Sequence, residues 1–330
     1  MANEQTPLIP PPSVASDSSA AHRRHLRKRE AAGLFCMALS ALGFSSMSLF
    51  VKLSGASFPS FEIVFARSVI QLVLGLLGCY FLGVHPLGDP KVRPWLVFRG
   101  LVGSLGLALF FYSITQLPLA DATVIFFLGP MFTAILAAIV LGESFTLFDG
   151  ICSVFCLFGV VLVSKPEFLF GSGDIVGDDD ASWTRIIAIL CSLLGAVMSA
   201  FAYCTVRKIG RGASYMVHVV YFGGISCVIS AIGMYFQGAI MPSGAKEYTT
   251  LLLVGITAFI GQCLLNQGLQ MAPAGPGTLM RMNDVVFAFL FGIFILHEYP
   301  DVYSITGASV IVLMTTALGL HKWWSSRSRQ

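Results

Sequence analysis

The apolar residues of this chain fall into ten blocks, and each block is long enough to cross a lipid bilayer as a helix. A helix rises about 1.5 Å per residue, so about 20 apolar residues span a hydrocarbon core roughly 30 Å thick. Because backbone groups in lipid must be satisfied within the segment, each block predicts a transmembrane α-helix. The blocks lie near residues 31–53, 59–82, 94–114, 120–141, 145–164, 183–206, 215–237, 248–270, 276–297 and 301–324.

The composition excludes a water-soluble fold. Hydrophobic residues make up 56% of the 330 residues and charged residues 11%, whereas a soluble domain carries about 25% charged residues. The sequence therefore predicts an all-α polytopic membrane protein with ten transmembrane helices.

Short joins that carry Pro, Gly or charge separate most of the blocks. One join is long and contains the acidic run Asp178, Asp179 and Asp180. The residues before the first block are polar and then basic, which predicts a disordered tail. The predicted organisation is a tail at 1–30, a first five-helix unit at 31–164, an acidic loop at 165–182, a second unit at 183–324 and a short tail at 325–330.

The distribution of Lys and Arg predicts the orientation. With ten spans and a cytosolic N-terminus, thirteen Lys and Arg residues fall in cytosolic segments, whereas Lys52, Lys165 and Lys246 fall on the opposite side. Membrane proteins keep an excess of Lys and Arg in their cytosolic loops. We therefore expect both termini in the cytosol and the acidic loop outside it.

The two halves of the chain share a layout. Five spans per half is an odd number, so the second half lies inverted relative to the first. Inverted repeats are a recurrent transporter plan, in which the binding site lies at the repeat interface near the middle of the membrane. An offset of 154 residues, with one inserted residue for the last pair, matches Gln116 with Gln270, Ala120 with Ala274, Pro130 with Asp284, and Glu143 with Glu298.

The run LGPMFTAILAAIVLGESFTLFDGICSVFCLFGVVLV at 128–163, together with Arg67 in FEIVFARSV, resembles the EamA-type domain of the drug/metabolite transporter superfamily. Over residues 30–322 the chain is most similar to the solute carrier 35 group, particularly its G subfamily. The resemblance implies two inverted five-helix repeats, with the first four helices of each half around a central cavity. It also marks Arg67 as typical of the domain, so a fold-supporting role stays open for that residue.

Two opposite charges interrupt the ninth block. A charge within a span costs about 2.5–3.5 kcal/mol on insertion scales, and such residues usually face a bundle interior. Arg281 and Asp284 are three residues apart, so a continuous helix would place them on one face with Ala288 and Gly292. Either the pair neutralises itself and fixes helix packing, or Arg281 binds an anionic solute group while Asp284 holds Arg281 or exchanges a proton.

Other spans also carry polar side chains. Gln262, Asn266 and Gln270 follow at intervals of four residues, and this stripe of amides can join helices or bind a solute. Pro130 predicts a kink in the fourth span, because it cannot donate a hydrogen bond. The remaining candidates for a substrate site are Arg67, Gln71, Tyr112, His218 and Tyr221. We expect Glu62, Lys52, Arg99, Arg185 and Asp121 to be interfacial anchors, because they lie nearer the block ends.

The sequence has no P-loop and no cluster of metal-binding residues, and its eight cysteines lie within apolar blocks. We therefore predict no enzymatic activity, no catalytic residue, no cofactor, no metal site and no nucleic-acid partner. Arg67, Arg99 and Arg281 outnumber Asp284 in or near the spans, which favours a secondary-active transporter of a small polar metabolite, specifically an organic anion. It would work by alternating access, with a coupled proton or an exchanged solute. A nucleotide-sugar transporter and a non-transporting scaffold or regulatory protein are the alternatives, and a homodimer stays open.

The N-terminal tail contains a candidate sorting signal. In EQTPLI (4–9), Glu4 is followed after three residues by Leu8 and Ile9, which resembles an acidic dileucine signal read by clathrin adaptors. An apolar pair in a polar tail has no packing role there. The pattern favours an endosomal, lysosomal or vacuolar membrane, with the plasma membrane or Golgi as alternatives.

Overall fold

Helices make up most of the described chain. The computed structural model describes residues 12–53, 58–117, 119–143, 145–165, 169, 179–238, 240, 242, 244–297 and 301–328. Its main helices are α1 (Pro12–Leu53), α2 (Ser60–Phe81), α3 (Arg93–Gln116), α4 (Leu119–Phe126), α5 (Gly129–Leu141), α6 (Leu147–Ser164), α7 (Asp179–Ile209), α8 (Tyr215–Gln237), α9 (Ala245–Met271), α10 (Ala274–Met280), α11 (Asn283–Phe294) and α12 (Val302–Ser328).

Ten segments of the described chain are long and apolar enough to cross a membrane, which confirms the predicted polytopic all-α fold. The fourth span consists of α4 and α5, and the ninth span consists of α10 and α11. Large apolar side chains such as Phe81, Ile139, Phe155 and Phe294 lie exposed on the outside of the bundle. Such a surface suits contact with lipid.

The first helix begins earlier than its membrane span. α1 starts at Pro12, whereas the apolar span starts at Lys28, so the helix enters the segment for which the sequence predicts a disordered tail. Extension of an existing helix avoids the cost of nucleation, and the Ala and Arg residues of this segment favour helix. The predicted sorting residues Glu4, Leu8 and Ile9 lie outside the described residues.

The helices pair in a pattern that relates the two halves by inversion. The first span, α1, packs along the eighth, α9, and the sixth span, α7, packs along the third, α3. Exchange of the two halves converts one of these pairs into the other. In addition, α2 packs on α8 and α6 packs on α12, so each helix meets its own counterpart. The bundle thus has the two-fold relation of inverted five-helix repeats.

The two ends of the bundle differ in charge. The basic end, which the sequence predicts to be cytosolic, carries Arg207, Lys208 and Arg211. At the far end, the Lys165 ammonium donates a hydrogen bond of 2.5 Å to the Asp301 carboxylate. This hydrogen bond holds the pKa of the exposed Asp301 carboxyl below its ordinary value, and the contact joins the end of α6 to the start of α12.

Paired glycines bring helices to backbone contact near the middle of the bundle. A Cβ atom placed on Gly106 of α3 would lie 2.9 Å from the carbonyl oxygen of Gly195 on α7. In the inverted counterpart, a Cβ atom on Gly43 of α1 would lie 2.8 Å from the Cα atom of Gly261 on α9. Small residues that permit such approaches drive helix association in membranes.

We expect Gly106→Ala to destabilise the bundle, because the obstructing atom is backbone and cannot rotate away. Overpacking of this kind costs about 1–3 kcal/mol. Gly103→Ala on the same helix is the matched control, since its Cβ atom would meet the Phe222 ring at 3.4 Å, an ordinary contact. Thermal unfolding of the purified protein in detergent should show a lower midpoint for Gly106→Ala than for Gly103→Ala. Equal midpoints would show that α3 and α7 do not pack as described.

Candidate functional site

Charge in the interior of the bundle is confined to a few side chains. Within the described spans, the charged residues that lie more than five residues from either end of a span are Arg67, Arg99, Arg281 and Asp284. The interior of these spans therefore holds three positive charges and one negative charge. Since a charge inside a membrane protein needs a partner or a polar cavity, the surroundings of the three guanidinium groups indicate what the interior can bind.

The ninth span is interrupted where its charges lie. α10 ends at Met280 and α11 begins at Asn283. The side-chain amide of Asn283 donates a hydrogen bond of 2.8 Å to the Met280 carbonyl, which in a continuous helix would accept from the Asp284 N–H. That N–H bonds to the Arg281 carbonyl at 3.0 Å instead. An asparagine side chain that competes for backbone partners disrupts a helix in this way.

This break corrects the expectation of one continuous polar face. Arg281 lies at the C-terminus of α10, whereas Asp284 lies in the first turn of α11, and Ala288 is exposed rather than buried. Positive charge is favourable at a helix C-terminus and negative charge at an N-terminus. Both charges therefore have helix ends of suitable polarity within a single span.

The fourth span is interrupted at the equivalent position. α4 ends at Phe126, and α5 begins at Gly129, directly before Pro130. Proline lacks an N–H, so it cannot bond to the Phe126 carbonyl as a continuous helix requires. The repeat offset of 154 residues places Phe127 on Arg281. Each repeat thus has a broken fourth helix, with proline at one break and asparagine at the other.

Arg281 is bound by aromatic side chains rather than by a carboxylate. Its Nη1 donates a hydrogen bond to the Tyr203 hydroxyl of α7, and its guanidinium lies 4.4 Å from the centroid of the Phe44 ring on α1. The charges of Arg281 and Asp284 attract each other, but among the described contacts no ion pair joins them. A cation over an aromatic ring keeps its full positive charge, so Arg281 can still bind an anion.

Arg67 lies against the same face of α1 and is 3% exposed. Its Nη1 contacts the Met47 sulfur at 3.5 Å, and Met47 follows Phe44 by three residues, so the two share a helix face. A thioether is only a weak acceptor, and the Arg67 Nε has no hydrogen-bond partner in the described structure. Arg67 and Arg281 therefore place two positive charges beside one face of α1, where they repel each other.

Arg99 is buried, which contradicts its predicted role as an interfacial anchor. It is 2% exposed, and its Nη2 donates a hydrogen bond of 3.0 Å to the Asn266 side-chain oxygen on α9. Its Nη1 donates to the His218 carbonyl of α8 at 3.4 Å, and its guanidinium lies 4.9 Å from the Phe222 ring. The position of Arg99 along α3 suggested the interface, but α8 and α9 cover this part of the helix.

Several polar side chains beside these arginines have buried atoms without a hydrogen-bond partner in the described structure. They are both polar atoms of Gln71, both ring nitrogens of His218 and the side-chain nitrogen of Asn266, and each residue is fully buried. Buried polar groups are normally hydrogen-bonded, so such exceptions often mark functional positions. We call Arg67, Gln71, Arg99, His218, Asn266, Arg281 and Asp284 the central cluster.

Other predicted substrate-site residues lie outside the central cluster. The Gln270 side chain donates to the Ala213 carbonyl at 2.9 Å, and the Tyr221 hydroxyl donates to the Leu87 carbonyl at 3.1 Å, both towards the basic end. Tyr112 is 37% exposed on α3. Gln262 lies one turn before Asn266 on α9 and is 6% exposed, so it borders the central cluster.

Sequence reasoning missed Tyr203 and Phe44, which contact Arg281, and Phe222, which contacts Arg99. Nothing in the sequence separates these three rings from the many other aromatic residues of the spans. Asn283 did carry a signal, because an asparagine directly before Asp284 in an apolar block favours a local break. The missing information was which rings the neighbouring helices bring to each guanidinium.

Glu143 joins the two repeats at the basic end. One carboxylate oxygen accepts a hydrogen bond of 2.7 Å from the Arg207 Nε on α7, and the other accepts from the Ala274 backbone N–H of α10 at 2.8 Å. A single residue of the first repeat thus binds two helices of the second. A hydrogen bond between ionised partners is stronger than a neutral one.

A bundle of inverted helical repeats with broken helices and polar groups near the membrane centre defines a class, the membrane transporters of small molecules. The chain belongs to the EamA-like transporter family, whose sequence profile matches residues 31–165 and 186–319. It is 32% identical over 295 residues to solute carrier family 35 member G1 of Homo sapiens, covering 89% of this chain and 80% of that protein.

Two further comparisons agree with this assignment. The chain is 29% identical to the pseudopaline exporter CntI of Pseudomonas aeruginosa over 88% of this chain and 96% of that protein. A solved crystal structure with 19% sequence identity has the same fold, with a TM-score of 0.73 over 89% of this chain and 96% of that chain. The protein is therefore a multi-pass membrane transporter of small molecules.

Removal of the Glu143 side chain should loosen the basic end. Cys204 reports this opening, because it lies one turn before Arg207, is 4% exposed and contacts the Thr133 carbonyl of α5 at 3.7 Å. We expect Glu143→Ala to raise the rate of Cys204 alkylation by N-ethylmaleimide several-fold, as measured by peptide mass spectrometry. The fully buried Cys156 between α6 and α12 provides the internal reference.

Glu62→Ala is the matched control variant. The Glu62 carboxylate accepts a hydrogen bond of 2.9 Å from the Ile240 N–H at the far end. Loss of this carboxylate should therefore leave Cys204 protected from alkylation. An unchanged alkylation rate at Cys204 in Glu143→Ala would show that Glu143 does not hold α5 and α7 together.

Proposed function

We propose that the protein is a secondary-active transporter of a small organic anion, which binds at the central cluster. The observation that carries this proposal is the charge imbalance of the interior, which holds three guanidinium groups and one carboxylate. Arg67 and Arg281 lie beside the same face of α1, and no carboxylate forms an ion pair with either among the described contacts. An anion between them would supply the missing negative charge.

The free donors of these arginines also suit an anion. The Nε atoms of Arg67 and Arg281 are buried and have no hydrogen-bond partner in the described structure. A guanidinium presents its N–H groups as a planar fork that matches carboxylate and phosphate oxygens in pairs. The aromatic contacts of Arg281 leave this fork usable, because Phe44 lies over its face and Tyr203 takes only one donor.

Alternating access would use the inverted repeats. At the basic end Glu143 links the first repeat to α7 and α10, and at the far end Glu62 links α2 to the Ile240 N–H beyond α8. Rocking of one repeat against the other would release one of these links while the other holds. A solute in the central cluster would then be exposed to each side in turn.

The two alternatives, a nucleotide-sugar transporter and a scaffold or regulatory protein, would need different side chains in the interior of the bundle. A nucleotide sugar is also an anion, so the same arginines could bind it. A scaffold or regulatory protein has no need for buried guanidinium groups without carboxylate partners, because each raises the free energy of the folded state. The relative named as an exporter supports a small-molecule cargo rather than a scaffold.

The proposed address is an endosomal, lysosomal or vacuolar membrane, reached through clathrin adaptors that bind Glu4, Leu8 and Ile9. Replacement of Leu8 and Ile9 by Ala in a fluorescent fusion should move the protein to the cell surface, because the adaptor reads the apolar pair. Val14→Ala in the same tail is the control and should leave the distribution as it is. Identical distributions of the wild type and the Leu8/Ile9 variant would show that these residues are not a sorting signal.

Uptake by proteoliposomes tests the anion site. The panel is labelled lactate, succinate, citrate, glucose 6-phosphate and UDP-glucose, with alanine and choline as substrates that are not anions. For the anion that the wild type transports, we expect Arg281→Ala to reduce uptake about 10–100-fold, since a hydrogen bond to a charged group is worth about 1.5–3 kcal/mol. Arg281→Lys should only partly restore uptake, because an ammonium lacks the planar fork.

Arg93→Ala is the matched control, because Arg93 lies at the start of α3 and donates to the Gly88 carbonyl outside the central cluster. Normal anion uptake by Arg281→Ala would refute the anion site. If Arg281→Ala and Asp284→Ala each fail to fold while the double variant folds, the pair serves helix packing instead.

A further inference from the structure

Asp284 is the carboxylate of the central cluster, and its position beside Arg281 has a consequence for transport. The two residues lie on either side of the break between α10 and α11, three positions apart, and the field of Arg281 acts on Asp284. Arg281 is nevertheless bound to Tyr203 and Phe44. The carboxylate is therefore near the proposed anion site without occupying it.

Few other ionisable groups surround Asp284. α11 packs against α1, α12 and α6. α1 carries no charged residue between Glu30 and Lys52, and its thiol is Cys36. α6 carries the thiols of Cys152 and Cys156, which belong to the apolar cluster that also contains Val285 and Val286, and the buried carboxylate of Asp149 in its first turn, at the basic end. α12 contributes the Thr315 hydroxyl, which contacts Asn283, and carries His321 near the basic end, where its ring lies against Phe148. The charge of Arg67 on α2 acts on Arg281. Among the described residues, Arg281 is the charged side chain whose field acts on Asp284.

We propose that the transporter carries its anion and a proton in the same direction, and that Asp284 is the residue that takes up the proton. This inference rests on the proposed anion site. An anion bound to Arg281 neutralises the positive charge that otherwise stabilises the Asp284 carboxylate. It also places a second negative charge beside that carboxylate. Repulsion between the two is relieved when Asp284 is protonated, so the anion binds more tightly to the protonated protein.

The sign of this coupling follows from which charge the solute carries. Coupling between two ligands is reciprocal, so a proton that tightens anion binding is itself bound more tightly when the anion is present. A cationic solute would instead compete with the proton for Asp284, and the two would then move in opposite directions. For a monovalent anion, joint binding also adds no net charge to the membrane interior, where charge is costly.

A pH gradient across proteoliposomes tests the coupling. The probe is the anion of the uptake panel that the wild type transports fastest, with valinomycin and equal potassium on both sides to hold the membrane potential at zero. With the bath more acidic than the lumen, we expect accumulation several-fold above the bath concentration. Addition of the anion without a pH gradient should acidify the lumen, as reported by trapped pyranine. Signals from protein-free liposomes are subtracted.

Three variants assign the proton to a residue. Asp284→Asn should transport the anion more slowly than the wild type, and its uptake should no longer respond to the pH gradient, so it should lose both the accumulation and the anion-dependent acidification. Asp284→Glu keeps a titratable carboxyl and should keep both. Asp301→Asn, which removes the exposed carboxyl at the far end, should behave as the wild type.

The outcomes separate this inference from the proposed function. If the wild type transports no anion of the panel, both fail. If an anion moves down its gradient but does not respond to the pH gradient, or accumulates only with the opposite gradient, the coupling is refuted and the anion site stands. Coupled transport by Asp284→Asn would refute the role of Asp284 alone.

Discussion

The interior of this bundle depends on how three guanidinium groups are accommodated in a membrane. Guanidinium does not lose its proton in proteins, so each of these arginines remains charged and must be solvated by whatever surrounds it. Arg99 donates hydrogen bonds to an amide and a backbone carbonyl and lies beside an aromatic ring, although its Nε, like those of the other two arginines, has no hydrogen-bond partner in the described structure. Arg67 and Arg281 have weaker surroundings, a thioether in one case and aromatic groups in the other. This difference is the reason for proposing Arg67 and Arg281, rather than Arg99, as the arginines that hold the anion.

The break in the ninth span lowers the free-energy cost of placing Arg281 and Asp284 in a single span. A continuous helix would hold Arg281 and Asp284 on one face and favour their direct pairing, which would cancel the charge. The Asn283 amide interrupts the hydrogen-bond ladder between them, so each charge meets a helix end of opposite polarity. In the proposed mechanism this separation leaves Arg281 available to the anion, and Asp284 lies close enough for its protonation to depend on what Arg281 binds.

The ten spans were predictable because the bilayer sets the length of an apolar segment, and the inversion followed from the odd number of spans per half. The burial of Arg99 was not predictable, because its depth along α3 says nothing about α8 and α9, which cover it. Gln270 and Tyr221 sit on helices that line the interior, yet their side chains reach carbonyls of the connecting segments. Periodicity identifies the helix, but the partner of each polar group depends on contacts between segments distant in sequence.

The paired glycines have a mechanical consequence. Where Gly106 meets Gly195 and Gly43 meets Gly261, backbone lies against backbone, so fewer side chains have to disengage at these points when the crossing angle changes. Each crossing can therefore act as a fulcrum, about which two helices tilt while their contact point stays in place. The two crossings exchange under the inversion of the repeats, so under the proposed alternating access a tilt at both crossings would widen the bundle at one end and narrow it at the other.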